Sequence, residues 1–300
     1  MGASELKWKN TALLVIDMQV VREHDPLGRD VELFRRHLYA ADKPKPTSMG
    51  SVGAELADGL VIKDGDYKLV KMRFSAFFNT HLHSYLQGAG VNKLVITGVQ
   101  TPNCIRQTVF DAVALDYHKV TVIVDATAAA TPDIHIDGEA IVPNVIKAVE
   151  VARSRSIPVV WVVREHDPLG RDVELCRRHF YSADKLKPAA KGSIGAELVE
   201  GLVIEDDDYK LVKTRFSAFF NTHLHSYLQG AGVNNLVITG VQTPNCIRQT
   251  AFDAVAFDYH TVTVIVDATA AATPDIHNAN IIDMKNIGIA TPTLEEWCKI

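Results

Sequence analysis

Short, uninterrupted apolar runs recur along the chain, and each is rich in β-branched residues. The clearest runs are residues 12–17, 158–163, 236–240 and 262–267. An apolar run without alternation predicts a strand that is buried on both faces, as in a parallel sheet covered by helices. Residues 209–213 and 286–291 predict two further strands, the second of them as the last strand of the sheet.

Amphipathic helical patterns lie between these runs. One face of a helix is formed by apolar residues three and four apart: Ile141, Val142, Val145, Ile146 and Val149. Residues 246–259 predict a second helix, and a third around Leu224 to Leu228 ends at Gly230. Because strands and helices alternate, the sequence predicts an α/β fold with a doubly wound, mostly parallel sheet and helices on both faces.

A near-perfect internal repeat of domain size dominates the chain. Residues 20–135 match residues 162–277 at a constant offset of 142, and 17 of the 116 aligned positions differ. Two copies this similar have had little time to diverge. A recent tandem duplication or an exon-joining error explains the pattern equally well.

The two copies are not equally complete. A crossover between parallel strands needs about a dozen residues, and only the second copy carries it, as the helix and strand within residues 141–163. We therefore expect residues 1–19 to supply a first strand that completes the second copy, residues 20–135 to form a partial repeat, and residues 136–300 to form the main domain. In the alternative arrangement, residues 12–17 complete the first copy.

The composition is that of a soluble globular protein of 300 residues. It is 47% apolar and 22% charged, with a formal net charge of −5, which does not indicate a basic face for nucleic acid. No apolar run approaches the roughly 18 residues of a membrane span, and the N-terminus lacks a signal core. The four cysteines have no CxxC spacing, which predicts free thiols in a reducing compartment, the cytoplasm.

Three side chains with catalytic potential follow predicted strands. Asp17 ends the first strand, Lys213 ends residues 209–213, and Cys246 follows residues 236–240. The carboxyl ends of parallel strands meet at one edge of a sheet, where ligands bind.

The sequence around Cys246 predicts that its thiol lies in the first turn of a helix, with Thr243 as the N-cap and Pro244 as the first helical residue. The positive end of the helix dipole and a nearby ammonium both favour the thiolate form of this cysteine.

Three motifs in order resemble the signatures of the isochorismatase-like cysteine hydrolases, and more narrowly of their plant nicotinamidase-like branch. They are residues 14–19 (LVIDMQ), 213–219 (KTRFSAF) and 240–246 (GVQTPNC), and the second and third recur at residues 71–77 and 98–104. The resemblance covers nearly the whole chain. It implies a catalytic triad of Asp17, Lys213 and Cys246, with Lys71 and Cys104 as the equivalents in the other copy.

The resemblance also implies how the substrate is held. It implies a cis peptide bond between Val241 and Gln242, an oxyanion hole formed by the backbone amides of Gln242 and Cys246, and a possible contact from Gln19 to the substrate.

One position departs from the family pattern. Nicotinamidases carry an Asp-x-His metal motif after the second strand, whereas this chain has Arg164, Glu165, His166 and Asp167 there. We therefore expect no metal and no other cofactor, and nicotinamide itself is in doubt as the substrate. Arg164 and His166 either belong to a surface loop or line the pocket and bind a polar group of the substrate.

Other polar residues give weaker signals. His223 and His225 are two apart on a predicted helix and do not share a face, so we do not expect them to bind metal. Asp267 ends a strand at a structural turn. Cys176 replaces Phe34 of the first copy, which favours a packing role.

The function that these observations favour is hydrolysis of a C–N bond in a small carboxamide or ureido compound, through a cysteine thioester. Vinyl-ether hydrolysis, as in isochorismatases, does not need the cysteine. The alternative is a catalytically inactive or misassembled duplicate that acts as a binding or oligomerisation partner. The only partners expected are a small-molecule substrate and, by resemblance, further copies of the chain, without nucleic acid or membrane.

Overall fold

The chain folds into two compact units. They span Met1–Ala129 and Ala130–Ile300. This computed structural model describes residues 10–16, 24–40, 43, 45, 47–51, 54, 61–98, 101–122, 140–182, 185 and 187–300. The predicted boundary between residues 135 and 136 lies outside the described residues.

The described part of unit 1 contains a parallel sheet of three strands in the order β1-β2-β3. They are β1 (Thr11–Ile16), β2 (Lys93–Gly98) and β3 (Lys119–Val122). Helix α1 (Leu82–Gly88) precedes β2, and a π-turn (Thr101–Ile105) followed by helix α2 (Arg106–Ala114) connects β2 to β3. Among the described residues, β1 therefore lies at one edge of this sheet.

The first strand completes the first copy. β1 pairs with β2 from Thr11–Lys93 to Ile16–Gly98, whereas we expected it to join the second copy, so the structure shows the alternative of the two arrangements. The physical reason is that β2 and its counterpart at residues 235–240 differ only at Lys93, which is Asn235 there. The two strands offer nearly the same partner, and the sequence cannot distinguish them.

Unit 2 contains two pairs of parallel strands. β4 (Val160–Arg164) pairs with β5 (Tyr209–Lys213), and β6 (Asn235–Val241) pairs with β7 (Thr261–Ala270). The α-helices described in this unit are α3 (Val142–Ser154), α4 (Leu224–Gly230), α5 (Arg248–Ala256), α6 (Pro274–Asn286) and α7 (Leu294–Lys299). Every strand pair described is parallel, which confirms the predicted α/β class.

Two short 3-10 helices mark the loop between β4 and β5. They are Leu175–Tyr181 and Ile194–Ala196, and the first has a counterpart in unit 1 at Leu33–Tyr39. The core of unit 2 lies where α3 and α7 pack against β7. It consists of Val145, Ala148, Ile265, Ala268, Leu294 and Trp297.

Two predicted elements near the end of unit 2 differ from the structure. The predicted last strand is shorter and lies later than expected, because Asn286 still belongs to α6 and only residues 290–292 pair with β7, through a parallel bridge between Thr263 and Ala290 and a hydrogen bond from the amide of Val266 to the carbonyl oxygen of Pro292. Pro292 itself has no N–H to extend the ladder. The predicted helix at residues 246–259 divides into a π-turn (Thr243–Ile247) and α5.

No helix among the described residues is long and apolar enough to cross a membrane.

Candidate active site

A buried lysine contacts a cysteine at one end of unit 2. Lys213 is the last residue of β5 and only 5% exposed. Its Nζ donates to the carbonyl oxygens of Arg215 at 2.7 Å and Phe216 at 2.8 Å, and to Sγ of Cys246 at 3.2 Å. The two carbonyls fix the position of the ammonium beside Sγ. The structure therefore brings together Lys213 and Cys246, as the sequence predicted.

The chain reaches Cys246 through a sharp turn after β6. The peptide bond between Val241 and Gln242 is cis, as the resemblance implied. The carbonyl oxygen of Gln242 then accepts from the amides of Asn245 at 3.1 Å and Ile247 at 3.2 Å. This π-turn presents the half-buried Cys246 as its fourth residue.

Thr243 has a different role from the one predicted. Gln242, not Thr243, occupies the N-cap position, and it makes no side-chain cap. The hydroxyl of Thr243 is fully buried and lies 2.9 Å from Nδ1 of His277 in α6. Burial lowers the pKa of His277, which favours a neutral ring beside this hydroxyl. The predicted cap is wrong because the hydroxyl is used to attach the turn to α6.

Opposing effects act on the ammonium of Lys213. Burial lowers its pKa, the neighbouring Cys246 raises it, and the nearby Arg164 guanidinium lowers it again, with a lowered pKa as the result. Because the ammonium loses hydration on burial, a thiolate at hydrogen-bonding distance is the group that compensates it best.

Arg164 brings a second positive charge to the same edge. It ends β4 in register with Lys213, and its Nη2 donates to Oε1 of Glu174 at 2.9 Å. The guanidinium lies 5.2 Å from the centre of the Phe216 ring. Burial lowers the pKa of Arg164 and the Cys246 thiolate raises it. Arg164 therefore lies within electrostatic reach of the thiol.

Glu174 is the carboxylate that balances these charges. It is completely buried, and Nη2 of Arg177 binds its second oxygen at 2.5 Å. Burial alone raises the pKa of Glu174, but Arg164 and Arg177 outweigh this effect and leave the pKa below its usual value. Since Glu174 holds its negative charge so firmly, it is poorly suited to accept a proton from the thiol.

His166 is held within the loop between β4 and β5 by contacts to other residues of that loop. Its Nδ1 lies 3.3 Å from the carboxylate of Asp172, and its ring packs edge-on against Tyr181. Nη2 of Arg177 lies 3.5 Å from its Nε2. Burial and then Arg164 lower the pKa of His166. Both ring nitrogens therefore face residues of the loop, and the ring is buried rather than at the surface.

The residues at the family's metal position do not fit a metal. Glu165 accepts from Lys210 at 2.5 Å, and Asp167 pairs with Arg171. Among the described residues, no three or more His, Cys, Asp or Glu side chains form a metal-binding group. The absence of a cofactor stays a prediction.

The first copy contains a comparable pair of residues. Lys71 is fully buried, and its Nζ donates to the carbonyl oxygen of Arg73 at 2.9 Å. Cys104 is 4% exposed, and it lies in the π-turn after β2. The two residues that precede this turn, and also Asp17 and Gln19, lie outside the described residues.

The weaker candidates have structural roles. The hydroxyl of Tyr209 bonds to His223, and that of Tyr259 lies 3.2 Å from Nδ1 of His225. Asp267 accepts from the amide of Leu294 at 2.7 Å.

Cys176 is exposed. The packing role predicted for it is therefore wrong.

Sequence reasoning missed two residues of this site. Glu174 has a local signal, because Arg177 follows at the i,i+3 spacing of a helical ion pair. His277 is 34 residues from Thr243, and no pattern in the sequence links them.

The chain matches one family model over both copies. The Isochorismatase domain matches residues 21–138 and 135–296. A probable inactive nicotinamidase of Arabidopsis thaliana is 72% identical over 161 residues, which is 53% of this chain and 82% of that protein.

Bacterial relatives are more distant. A ureidoacrylate amidohydrolase of Methylobacterium radiotolerans is 31% identical over 48% of this chain and 61% of its own length. One from an Enterobacter species is 30% identical over 53% of this chain and 74% of its own length.

The crystal structure of an isochorismatase family protein from Desulfovibrio vulgaris is 33% identical, with a TM-score of 0.53 over 69% of this chain and 96% of that chain. The site, the fold and these matches together show that the chain belongs to the isochorismatase family of α/β hydrolases, whose domain it carries twice.

Proposed function

We propose that the chain is an amidohydrolase that cleaves a C–N bond of a small carboxamide or ureido compound, with Cys246 as its nucleophile. The contact of 3.2 Å between Nζ of Lys213 and Sγ of Cys246 carries this proposal. A buried ammonium held by two carbonyls is positioned to stabilise a thiolate, which is the reactive form of cysteine.

The proposed reaction has two stages. The thiol proton passes to the carboxylate of Asp17, and Sγ attacks the carbonyl carbon of the substrate. The backbone amides of Gln242 and Cys246 stabilise the oxyanion. The intermediate collapses as its C–N bond breaks and Asp17 returns the proton to the leaving nitrogen, which leaves a thioester. Water then attacks the thioester, releases the acid and restores the thiol.

Arg164 is the residue that we propose for binding a polar or anionic group of the substrate. Its guanidinium is held by Glu174 and Phe216 at the same edge as Cys246. A guanidinium fixed in this way is suited to a carboxylate. The names of the two bacterial relatives, ureidoacrylate amidohydrolases, support a ureido acid over an uncharged amide. Gln19 stays a candidate by resemblance only.

The two nearly identical copies supply a matched test of the nucleophile. The full chain, Cys246→Ala and Cys104→Ala are assayed for ammonia release from a panel of carboxamides and ureido acids. We expect Cys246→Ala to abolish turnover and Cys104→Ala to retain most of it. The opposite result would assign the reaction to the first copy.

A second candidate function is an inactive family member that acts through binding. The plant relative named probable inactive nicotinamidase favours it, and so does the pairing of β1 with the first copy. Mass spectrometry of the intact chain after incubation with the same panel separates the two candidates. A covalent adduct on Cys246, or release of ammonia, excludes the inactive candidate, whereas the absence of both with every compound supports it.

We also propose a cytoplasmic location. The four cysteines have no CxxC spacing and form no dense framework along the sequence, which agrees with a reducing compartment.

A further inference from the structure

Helix α6 packs against the π-turn that presents Cys246. The side chain of Thr273 caps the start of this helix by accepting from the amide of Ile276, and the carbonyl of Thr273 accepts from the amide of His277 at 3.0 Å. His277 therefore lies in a first helical turn that is well fixed. The proposed reaction uses no residue of α6, so the contacts of this helix with the turn need another explanation.

The first of these contacts joins His277 to Thr243, the residue that begins the π-turn. Thr243 is 0% exposed, and its hydroxyl lies 2.9 Å from Nδ1 of His277. Either tautomer of the ring can form this bond, because a hydroxyl both donates and accepts. A buried hydroxyl is costly to leave without a partner, so the bond fixes the start of the turn relative to α6.

The π-turn is also bonded from within. The side-chain oxygen of Gln242 accepts from Nδ2 of Asn245 at 2.7 Å, in addition to the two amides that its carbonyl accepts. Cys246 belongs to this bonded unit. The distance of 3.2 Å from its Sγ to Nζ of Lys213 therefore depends on where the turn as a whole is placed.

A second contact from α6 reaches the chain on the other side of Cys246. Arg248 is 1% exposed, and its Nε lies 3.9 Å from the carboxylate of Asp283 in α6. Its guanidinium lies 3.7 Å from the centre of the Phe252 ring. Helix α6 thus holds the segment around the thiol at two points, one before Cys246 and one after it.

The first copy contains only the beginning of this helix. The repeat ends at His277, and the rest of α6, with Asp283, has no sequence counterpart there. Arg106, the equivalent of Arg248, is half-buried in unit 1, whereas Arg248 is almost fully buried. The same side chain is therefore more exposed in the copy whose sequence lacks Asp283.

We propose that His277 is a positioning residue for Cys246, which acts by holding the π-turn through Thr243 so that Sγ stays within bonding distance of Nζ of Lys213. This inference rests on the proposed function, because it treats Cys246 as the nucleophile. Since most of α6 belongs to the second copy alone, it also gives a physical reason why Cys246, rather than Cys104, is the nucleophile.

Alkylation of Cys246 by iodoacetamide, followed across pH in the full chain, tests the proposal without a substrate. The maximal rate at high pH reports access to the thiol, whereas the pH of half-maximal rate reports how well the thiolate is stabilised. We expect His277→Leu to raise this midpoint by about half a pH unit, which is roughly a threefold loss of rate at pH 7. His277→Asn should restore the midpoint, because its amide can occupy the place of Nδ1.

A double-substitution cycle shows whether His277 acts through Thr243. Thr243→Val removes the hydroxyl at nearly the same volume, and we expect it to shift the midpoint as His277→Leu does. The chain with both substitutions should shift it no further, because both remove the same bond. His135→Leu makes the equivalent change in the first copy and serves as the matched control, with an unchanged midpoint at Cys246.

Three results would overturn the proposal. They are an unchanged midpoint in His277→Leu, a shift that His277→Asn fails to reverse, and additive shifts in the double variant. If His277→Leu does not fold, as judged by hydrogen exchange of unit 2 peptides, an unchanged midpoint in Thr243→Val overturns it instead. Ammonia release is measured separately. Its absence from the unsubstituted chain with every compound would contradict the proposed function, while the midpoints would still decide whether His277 positions the thiol.

Discussion

At the scale of single residues, the site is a balance of buried charges. Lys213 and Arg164 supply two cations beside Cys246, and Glu174 neutralises part of this charge through Arg164 and Arg177. A buried charge is tolerated only when partners replace its lost hydration. Changing one member should therefore affect the others in ways that can be measured.

The ammonium of Lys213 should control the reactivity of Cys246. Lys213→Met keeps a similar length but removes the positive charge and its bond to Sγ. We expect alkylation of Cys246 by iodoacetamide at pH 7 to slow by about tenfold, which corresponds to roughly 1.4 kcal/mol of lost thiolate stabilisation. Peptide mass spectrometry measures the rate for each cysteine, with Lys71→Met as the matched control. An unchanged rate at Cys246 would contradict this role for Lys213.

The low pKa of Glu174 should make unit 2 sensitive to acid. A carboxyl group whose pKa falls on folding contributes stability above its unfolded pKa, near 4.5, and that stability is lost as the pH falls through the folded-state value. We expect the free energy of unfolding of unit 2 to decrease on acidification below pH 4.5. Glu174→Gln should weaken unit 2 at pH 7 by about 3 kcal/mol, with a shallower further decrease in acid.

Hydrogen exchange of unit 2 peptides at pH 7 and pH 4, followed by mass spectrometry, measures this effect. Glu32→Gln makes the equivalent change in unit 1 and should leave the exchange of unit 2 unchanged. A Glu174→Gln chain with the acid dependence of the unsubstituted chain would show that another group is responsible.

At the scale of elements, one substitution between the copies changes the packing after α2 and α5. In unit 2, the Phe257 ring stacks on His225 with 4.2 Å between the ring centres. Unit 1 has Leu115 at this position, and there a surface cleft is lined by His83, Leu115 and Tyr117 among others. Phe257 therefore stacks on its neighbouring histidine, whereas Leu115 lines an open cleft beside His83.

Exchanging these two side chains should shift stability in opposite directions. We expect Phe257→Leu to destabilise unit 2 by about 1 kcal/mol and Leu115→Phe to stabilise unit 1 by a similar amount, through ring stacking on His83. Hydrogen exchange of peptides from each unit measures both changes in the same chain. If Leu115→Phe instead destabilises unit 1, the cleft is too shallow to hold the ring.

Most elements were predictable because local pattern determines them. The strand Tyr209–Lys213 has the predicted bounds, and the helix Leu224–Gly230 ends where Gly230 indicated. The failures occurred where long-range contacts decide. The segment at residues 286–291 has a strand pattern, yet only its end, from Ala290, pairs with β7.

At the scale of the whole molecule, the two units should differ in stability. The first copy has no sequence counterpart of α3 or of residues 278–300, whereas α3 and α7 build the core of unit 2 around Trp297. We expect limited trypsin digestion to degrade residues 21–135 before unit 2, with fragments identified by mass spectrometry. Equal survival of both units would show that the first copy packs as well without these elements.

The sequence by itself determined the family, the parallel α/β class, the repeat and the pairing of Lys213 with Cys246. The fold class follows from local apolar patterns, the family and the catalytic pair follow from motifs at the ends of strands, and the repeat follows from comparing the chain with itself. Only the tertiary structure decided which copy receives β1, because β2 and β6 present almost the same edge to it. It also decided that Glu174 binds Arg164 and that Thr243 contacts His277, since such contacts depend on how segments distant in sequence pack together.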